Sequence, residues 1–160
     1  MKSCIVFAVS IFDQSKLYVL QEYMDVFKQN FSDCDLYVGI NYGSVDDVES
    51  VIDSYGLSYM SLRNTADLYC ASDASAYQSA LKCLKGSGKR YDLYWFAHTK
   101  GGVNGRDAER RLYLTDLFGD RHNIESLFQQ WEYMGGYGLR GVSGGAAGDD
   151  WATYSADHII

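Results

Sequence analysis

The residues best suited to chemistry follow one short aromatic run. Leu93-Tyr94-Trp95-Phe96-Ala97 leads straight into His98-Thr99-Lys100-Gly101-Gly102, and Arg106, Arg110 and Arg111 come soon after. In a chain of net charge −7, this places an imidazole, an ammonium and guanidinium groups at one point. Two glycines let a backbone approach a ligand closely. Such a set suits a phosphate, whose oxygens take charge-assisted hydrogen bonds from cationic donors. Each member also has a plainer reading. Lys100 alone reads as a surface lysine, His98 as a satisfied core histidine, and Arg110 with Arg111 as the solvated face of a helix. It is the cluster that points to an anion.

A second group lies near the end of the sequence. Gly144, Gly145 and Gly148 lead to Asp149 and Asp150. Paired carboxylates can hold a divalent ion or act as a base, and an exposed polar loop is the plainer alternative. The apolar run that opens the chain is not followed by G-x-G-x-x-G, and neither a P-loop nor a G-x-S-x-G elbow occurs. The acidic balance repels phosphodiester backbones, so nucleic acid is not an expected partner. Cys4, Cys34, Cys70 and Cys83 include no C-x-x-C pair. Cys4 and Cys83 read as reduced core thiols, and a cytoplasmic location is expected. The first apolar run is too short to span a membrane and lacks a cleavage site, so a buried strand is expected there.

These residues need elements to hold them. Residues 4–12 are almost continuously apolar, as in a strand buried on both faces. Leu17, Leu20, Met24, Phe27 and Phe31 repeat at helical spacing across 15–31. Residues 35–41 predict a second strand ending in the Tyr42-Gly43-Ser44 turn. Ser44 with Asp47 forms a capping-box signal for a helix carrying Val48, Val51, Ile52 and Tyr55, stopped at Gly56. A third strand is expected at 57–62 and a loop at 63–72. Asp73 is then expected to cap a helix with Tyr77, Ala80, Leu81 and Leu84 inward, ended by Gly86-Ser87-Gly88. A strand at 91–97, helices at 107–118 and 123–134, and a last strand at 139–142 complete the expectation. With no proline, the 16 glycines supply the breaks. Strands alternating with helices predict one α/β domain over residues 1–160, a mainly parallel Rossmann-like sheet with helices on both faces. Ligands of such sheets bind outside the carboxyl ends of the strands.

The order of short motifs adds a resemblance. Val38-Gly39-Ile40-Asn41-Tyr42-Gly43-Ser44-Val45-Asp46-Asp47 resembles the second strand and D-N-G-S-x-D turn of GT-A-type glycosyltransferases, with Asn41 near the acidic position and Asp46 near the final one. Arg63-Asn64, then Asp73-Ala74-Ser75-Ala76-Tyr77-Gln78-Ser79-Ala80-Leu81, resembles their R-N-x-G … N-x-G-L-x-x-A region. Where that family carries D-x-D, this chain has His98-Thr99-Lys100. That is similar to the H-T-K-G of bacterial and viral polysaccharide-type, rhamnan-synthesis-like members. Arg110-Arg111-Leu112-Tyr113 stands where some of those carry W-R and an aromatic helix.

The resemblance covers roughly residues 4–134. It implies a nucleotide-diphosphate sugar as donor and a glycan or other acceptor. Ser10 and Asn41 would lie near base and ribose, Asp73 near the sugar, and His98, Lys100, Arg106 and Arg110 around the phosphates. Asp149 and Asp150 are the candidate catalytic carboxylates. D-x-D members neutralise the diphosphate with a divalent metal, manganese or magnesium. With both aspartates replaced, Lys100 and an arginine are the alternative, and His98 with Asp149 or Asp150 is the rival metal set. Two other functions remain open: a non-catalytic module that binds a nucleotide sugar or glycan, and an interaction domain docking a partner through aromatic residues.

Overall fold

Seven consecutive buried residues, Ser3–Val9, form β1 at the centre of the sheet in the computed structural model. The structure describes residues 1–65, 73–100, 106–130, 137–138 and 151–154. A 3₁₀ turn, Gln14–Lys16, is capped by Asp13, whose carboxylate accepts the Ser15 N–H at 2.9 Å. There follow α1 (Leu17–Asn30), β2 (Asp35–Ile40), α2 (Asp47–Ser54), β3 (Tyr59–Arg63), α3 (Asp73–Ser87) and β4 (Leu93–His98). Next come α4 (Asp107–Leu112), a π-helical segment (Tyr113–Phe118) and α5 (Arg121–Gln130). Two short strands, β5 (Tyr137–Gly138) and β6 (Trp151–Tyr154), complete the described elements.

The sheet order is β3-β2-β1-β4-β6-β5. The first four strands are parallel, and β6 and β5 extend the sheet antiparallel. The expected Rossmann-like α/β architecture is therefore present. Strand order grows outward from β1 to β3, then jumps back across β1 to β4. That reversal puts α3 on the opposite face from α1 and α2, as right-handed crossovers require.

Alternate residues divide between two cores. Ile5, Phe7, Val9, Leu36, Val38, Ile40, Leu93, Trp95 and Ala97 meet α1, α2, the π-helical segment and α5. Trp95, Phe31, Phe27 and Phe118 pack there with ring centroids 5.0–6.1 Å apart. Each such pair contributes about 0.5–1.5 kcal/mol beyond its area. On the other face Cys4, Val6, Tyr37, Tyr94 and Phe96 meet α3 through Ala80, Cys83 and Leu84. Burial pushes the Cys4 and Cys83 thiols upward, so both are inert core groups.

Until Leu84 near its end, the inward face of α3 is small: Ser75, Ala76, Ser79, Ala80 and Cys83. It rests on Gly39 of β2 so closely that a Cβ there would meet the Ala76 carbonyl oxygen at 1.7 Å. Glycine is required here for close approach.

Several local expectations are corrected. The third strand runs from Tyr59 to Arg63, because its register against Leu36–Ile40 carries it one residue past Leu62. Ser44 does not cap α2; Asp46 is the N-cap residue without a side-chain bond, and Ser44 Oγ instead accepts the Ile11 N–H at 3.3 Å. The helix at 107–118 changes to π-helical winding at Tyr113, and Tyr113, Leu114, Leu117 and Phe118 of this segment are buried. The next helix spans Arg121–Gln130, starting two residues before the expected position. Strand β6 falls in a stretch with no clear sequence pattern, because a four-residue strand leaves almost none. Residues 139–142 and 66–72 lie outside the described residues, as do Cys70, Asp149 and Asp150.

Candidate functional site

Backbone pairing continues past the strand ends and fixes the side chains that follow. Asn41 N–H donates to Val9 O at 2.8 Å, Asn64 N–H to Ile40 O at 2.8 Å, and Thr99 N–H to Ala8 O at 3.0 Å. The ladder so holds Asn41, Asn64 and Thr99 in register around Ser10. The switch point lies between β1 and β4, where strand order reverses. Thr99 bridges it: its Oγ1 accepts the Ser10 N–H at 2.9 Å.

Side chains then form a chain of contacts across the ends of β1, β2 and β3. Asn41 Nδ2 donates to Ser10 Oγ at 3.0 Å, and Asn64 Nδ2 donates to Asn41 Oδ1 at 3.2 Å. Ser79 of α3 donates to Asn64 Oδ1. At the other end, Ser10 Oγ donates to Asp73 Oδ1 at 3.4 Å, and His98 Nε2 lies 4.0 Å from Asp73 Oδ2. Ser10, Asn41 and His98 are buried, whereas the Asp73 side chain is 41% exposed. The network therefore opens to solvent through a carboxylate in the first turn of α3.

Phe12 and Tyr42 border the ends of β1 and β2 and are both exposed. The turn between Tyr42 and Ser44 uses Gly43 at φ 81°, a left-handed conformation natural to glycine. Phe12 lies against this turn, 3.8 Å from where a Gly43 Cβ would stand.

The cations form a second group beside β4. Lys100 Nζ is 3.2 Å from Glu109 Oε1, and Arg106 NH1 is 3.5 Å from Glu109 Oε2. Arg110 was one candidate for a solvated helix face, but it is fully buried and points inward. Its Nε donates to Glu22 at 2.6 Å, and NH1 donates to Asp107 at 2.7 Å and to the Lys100 carbonyl at 3.3 Å. The Arg110 bond holds the Asp107 carboxyl below the usual carboxylate range. Burial alone would lower the guanidinium pKa, yet Glu22 and Asp107 raise it. Arg110 thus braces the end of β4 and ties it to α1. Arg111, its neighbour, is exposed.

Sequence reasoning brought Ser10, Asn41, Asp73 and His98 to one place, with Lys100, Arg106 and Arg110 alongside. It missed the carboxylates that meet the cations, Glu22 and Glu109, and the shared role of Asn64 and Ser79. For Glu109 a signal existed in its i,i+3 spacing from Arg106. For Glu22 there was none, since 88 residues separate it from Arg110.

Among the described residues, no three His, Cys, Asp or Glu side chains come together as a metal site, and no helix is long and apolar enough to cross a membrane. The rival metal set for manganese or magnesium, His98 with Asp149 or Asp150, includes residues that lie outside the described ones. No family model, curated protein or solved structure matches this chain.

Proposed function

We propose that the strand ends bind a nucleotide-diphosphate sugar and that the domain transfers the sugar to a glycan or other acceptor. The observation that carries this reading is the linked set Ser10–Asn41–Asp73–His98 at the switch point, with Lys100 two residues beyond His98 at the end of the same strand and Arg106 meeting the same carboxylate as Lys100. Hydroxyl-rich ligands need donors and acceptors held in fixed positions, which amides and a carboxylate anchored to a sheet provide. Asp73, the solvent-facing member, accepts hydrogen bonds from sugar or ribose hydroxyls. Phe12 and Tyr42 present aromatic surface nearby. Lys100 and Arg106 face the diphosphate, where charge develops as the leaving group departs. Arg110 acts through Lys100 by fixing its backbone. Asp149 and Asp150 are proposed to supply the base that activates the acceptor.

A second reading is favoured by one specific observation. Lys100, Arg106 and Arg110 each already face a carboxylate. A module that recognises sugar hydroxyls alone, without phosphate or transfer, fits that pairing.

Calorimetric titration with a panel of nucleotide-diphosphate sugars, the parent nucleosides and free glycans separates these readings. Donor binding that survives EDTA and weakens ten- to a hundredfold in Lys100→Ala, with nucleoside binding unchanged, is the expected result. Binding abolished by EDTA and restored by manganese transfers the phosphate role to a metal. Glycan binding with no response to any nucleotide sugar overturns the transferase reading and leaves the module.

A further inference from the structure

The Glu109 carboxylate sits where three donors converge. Lys100 Nζ approaches Oε1 at 3.2 Å, Tyr113 Oη donates to the same oxygen at 3.5 Å, and Arg106 NH1 approaches Oε2 at 3.5 Å. Lys100 also lies over the Tyr113 ring, 5.9 Å from its centroid. The Lys100 side chain is 11% exposed and Glu109 21%, so the pair is shielded more than a surface ion pair. Its frame is tied down on two sides: Arg110 donates to the Lys100 carbonyl, and Tyr113 is buried at the start of the π-helical segment. An ammonium, a guanidinium and a phenol aimed at two oxygens of one anion make a receptor that would serve a phosphate equally well.

We infer that Glu109 is an internal counter-anion occupying the phosphate receptor, and that a diphosphate binds by exchanging with it. This deepens the proposed function, on which its biological meaning rests. The carboxylate keeps Lys100 and Arg106 oriented while no ligand is present, and it competes with the ligand for them. Exchange moves the Glu109 carboxylate toward solvent, and phosphate oxygens take its contacts. No covalent bond is involved. A consequence is selectivity by charge: a diphosphate displaces the single carboxylate, whereas an uncharged sugar has no reason to.

The test uses inorganic pyrophosphate as probe, titrated into the whole chain and into Glu109→Gln, which keeps the side-chain shape but removes the charge. Glu109→Gln is expected to bind pyrophosphate about tenfold more tightly than the unaltered protein. The gain should vanish when Lys100→Met is added. Glu109→Asp, which withdraws the carboxylate by one methylene, should give a smaller gain and guards against a folding defect in the first variant. Equal or weaker binding by both Glu109 variants, or no pyrophosphate binding by any of the proteins, overturns the inference. The two readings fail separately. Pyrophosphate binding that tightens in Glu109→Gln while no nucleotide sugar binds supports the receptor and sinks the donor assignment. Nucleotide-sugar binding with no gain on removing the Glu109 charge does the reverse.

Discussion

At the amino-terminal end of the sheet, Arg121 binds Asp33, Glu125 and Ser3, while Tyr91 joins Asp35 to Tyr37. At the carboxyl-terminal end, Asn41 and Asn64 join Ser10 to Ser79, and the set runs out to an exposed Asp73. The amino-terminal set is made of full charges and phenols, with Arg121 shared between Asp33, which is 70% exposed, and the shielded Glu125. Arg121 even stacks on Phe31, 4.7 Å from the ring centroid. The carboxyl-terminal set is made of neutral amides and hydroxyls that hold one carboxylate toward solvent. Carboxylates paired with an arginine hold elements together; a network of amides and hydroxyls ending on a part-exposed carboxylate leaves interaction capacity for a ligand. The difference separates a clasp from a candidate site within the same few layers of structure.

Five substitutions or conditions would break or sharpen that contrast. Gly39→Ala is expected to be the most damaging, because its methyl group would overlap the Ala76 backbone and force α3, which carries Asp73 and Ser79, off the sheet. A loss of about 3 kcal/mol or more in urea unfolding is expected. Arg121→Met removes the centre of the amino-terminal clasp and leaves the shielded Glu125 with the Ser3 hydroxyl but no cation. It should cost about 2 kcal/mol while ligand affinity stays unchanged, read by unfolding and titration of the same sample. If affinity falls with it, the two ends are not independent.

Asn41→Ala removes a buried donor and acceptor from the other end. About 1–2 kcal/mol of stability should go, and ligand affinity with it. Asp73→Asn should alter stability by less than about 0.5 kcal/mol, since the carboxylate is substantially exposed. Nucleotide-sugar affinity should nevertheless fall at least about tenfold, as expected for hydrogen bonds to a charged group. Unchanged affinity would remove Asp73 from the site.

The last test is pH. Burial, and then hydrogen bonds to Asp25 and Asp53, push the Tyr55 and Tyr59 phenols up to about 12. Both lie toward the amino-terminal end. The folded chain holds these protons after the unfolded chain has released them near pH 10. The stability they confer is therefore present below pH 10 and declines as pH rises toward 12. Asp33 behaves oppositely. Hydrogen bonding from Arg121 holds its carboxyl below its ordinary range, so its contribution is present above about pH 4 and is lost as pH falls further. A Tyr55→Phe, Tyr59→Phe double variant should flatten the alkaline decline. A slope between pH 10 and 12 identical to that of the unaltered protein would contradict this.

Much of the fold was legible because its signals are local. The apolar runs at β1 and β4 and the stripe Leu20, Met24 and Phe27 report burial directly, and the parallel sheet follows from their alternation. The position of Ser10, Asn41 and His98 could be anticipated for the same reason: each ends or follows a readable strand. What could not be read were pairings between distant residues. Ser44 carried a capping signal, yet Ile11 claimed its hydroxyl; Arg110 resembled a surface arginine, yet Glu22 drew it inward. In both cases a partner on another element outweighed local preference. The π-helical turn at Tyr113 was equally hidden, because the spacing of Leu114, Leu117 and Phe118 fits an ordinary helix.

The central place of β1 has a consequence for how the chain is made on the ribosome. Its β2 side can be covered once Asp35–Ile40 has emerged, but its β4 side must wait for Leu93–His98. For some fifty residues of synthesis after β2, the growing chain carries a hydrogen-bonding edge made of the Cys4, Val6 and Ala8 backbone that nothing yet pairs. At about 5–20 residues per second, that interval lasts a few seconds. The strand at the heart of the finished sheet thus keeps one open edge until β4 docks, and the open edge then passes to β4 until β6 pairs with it.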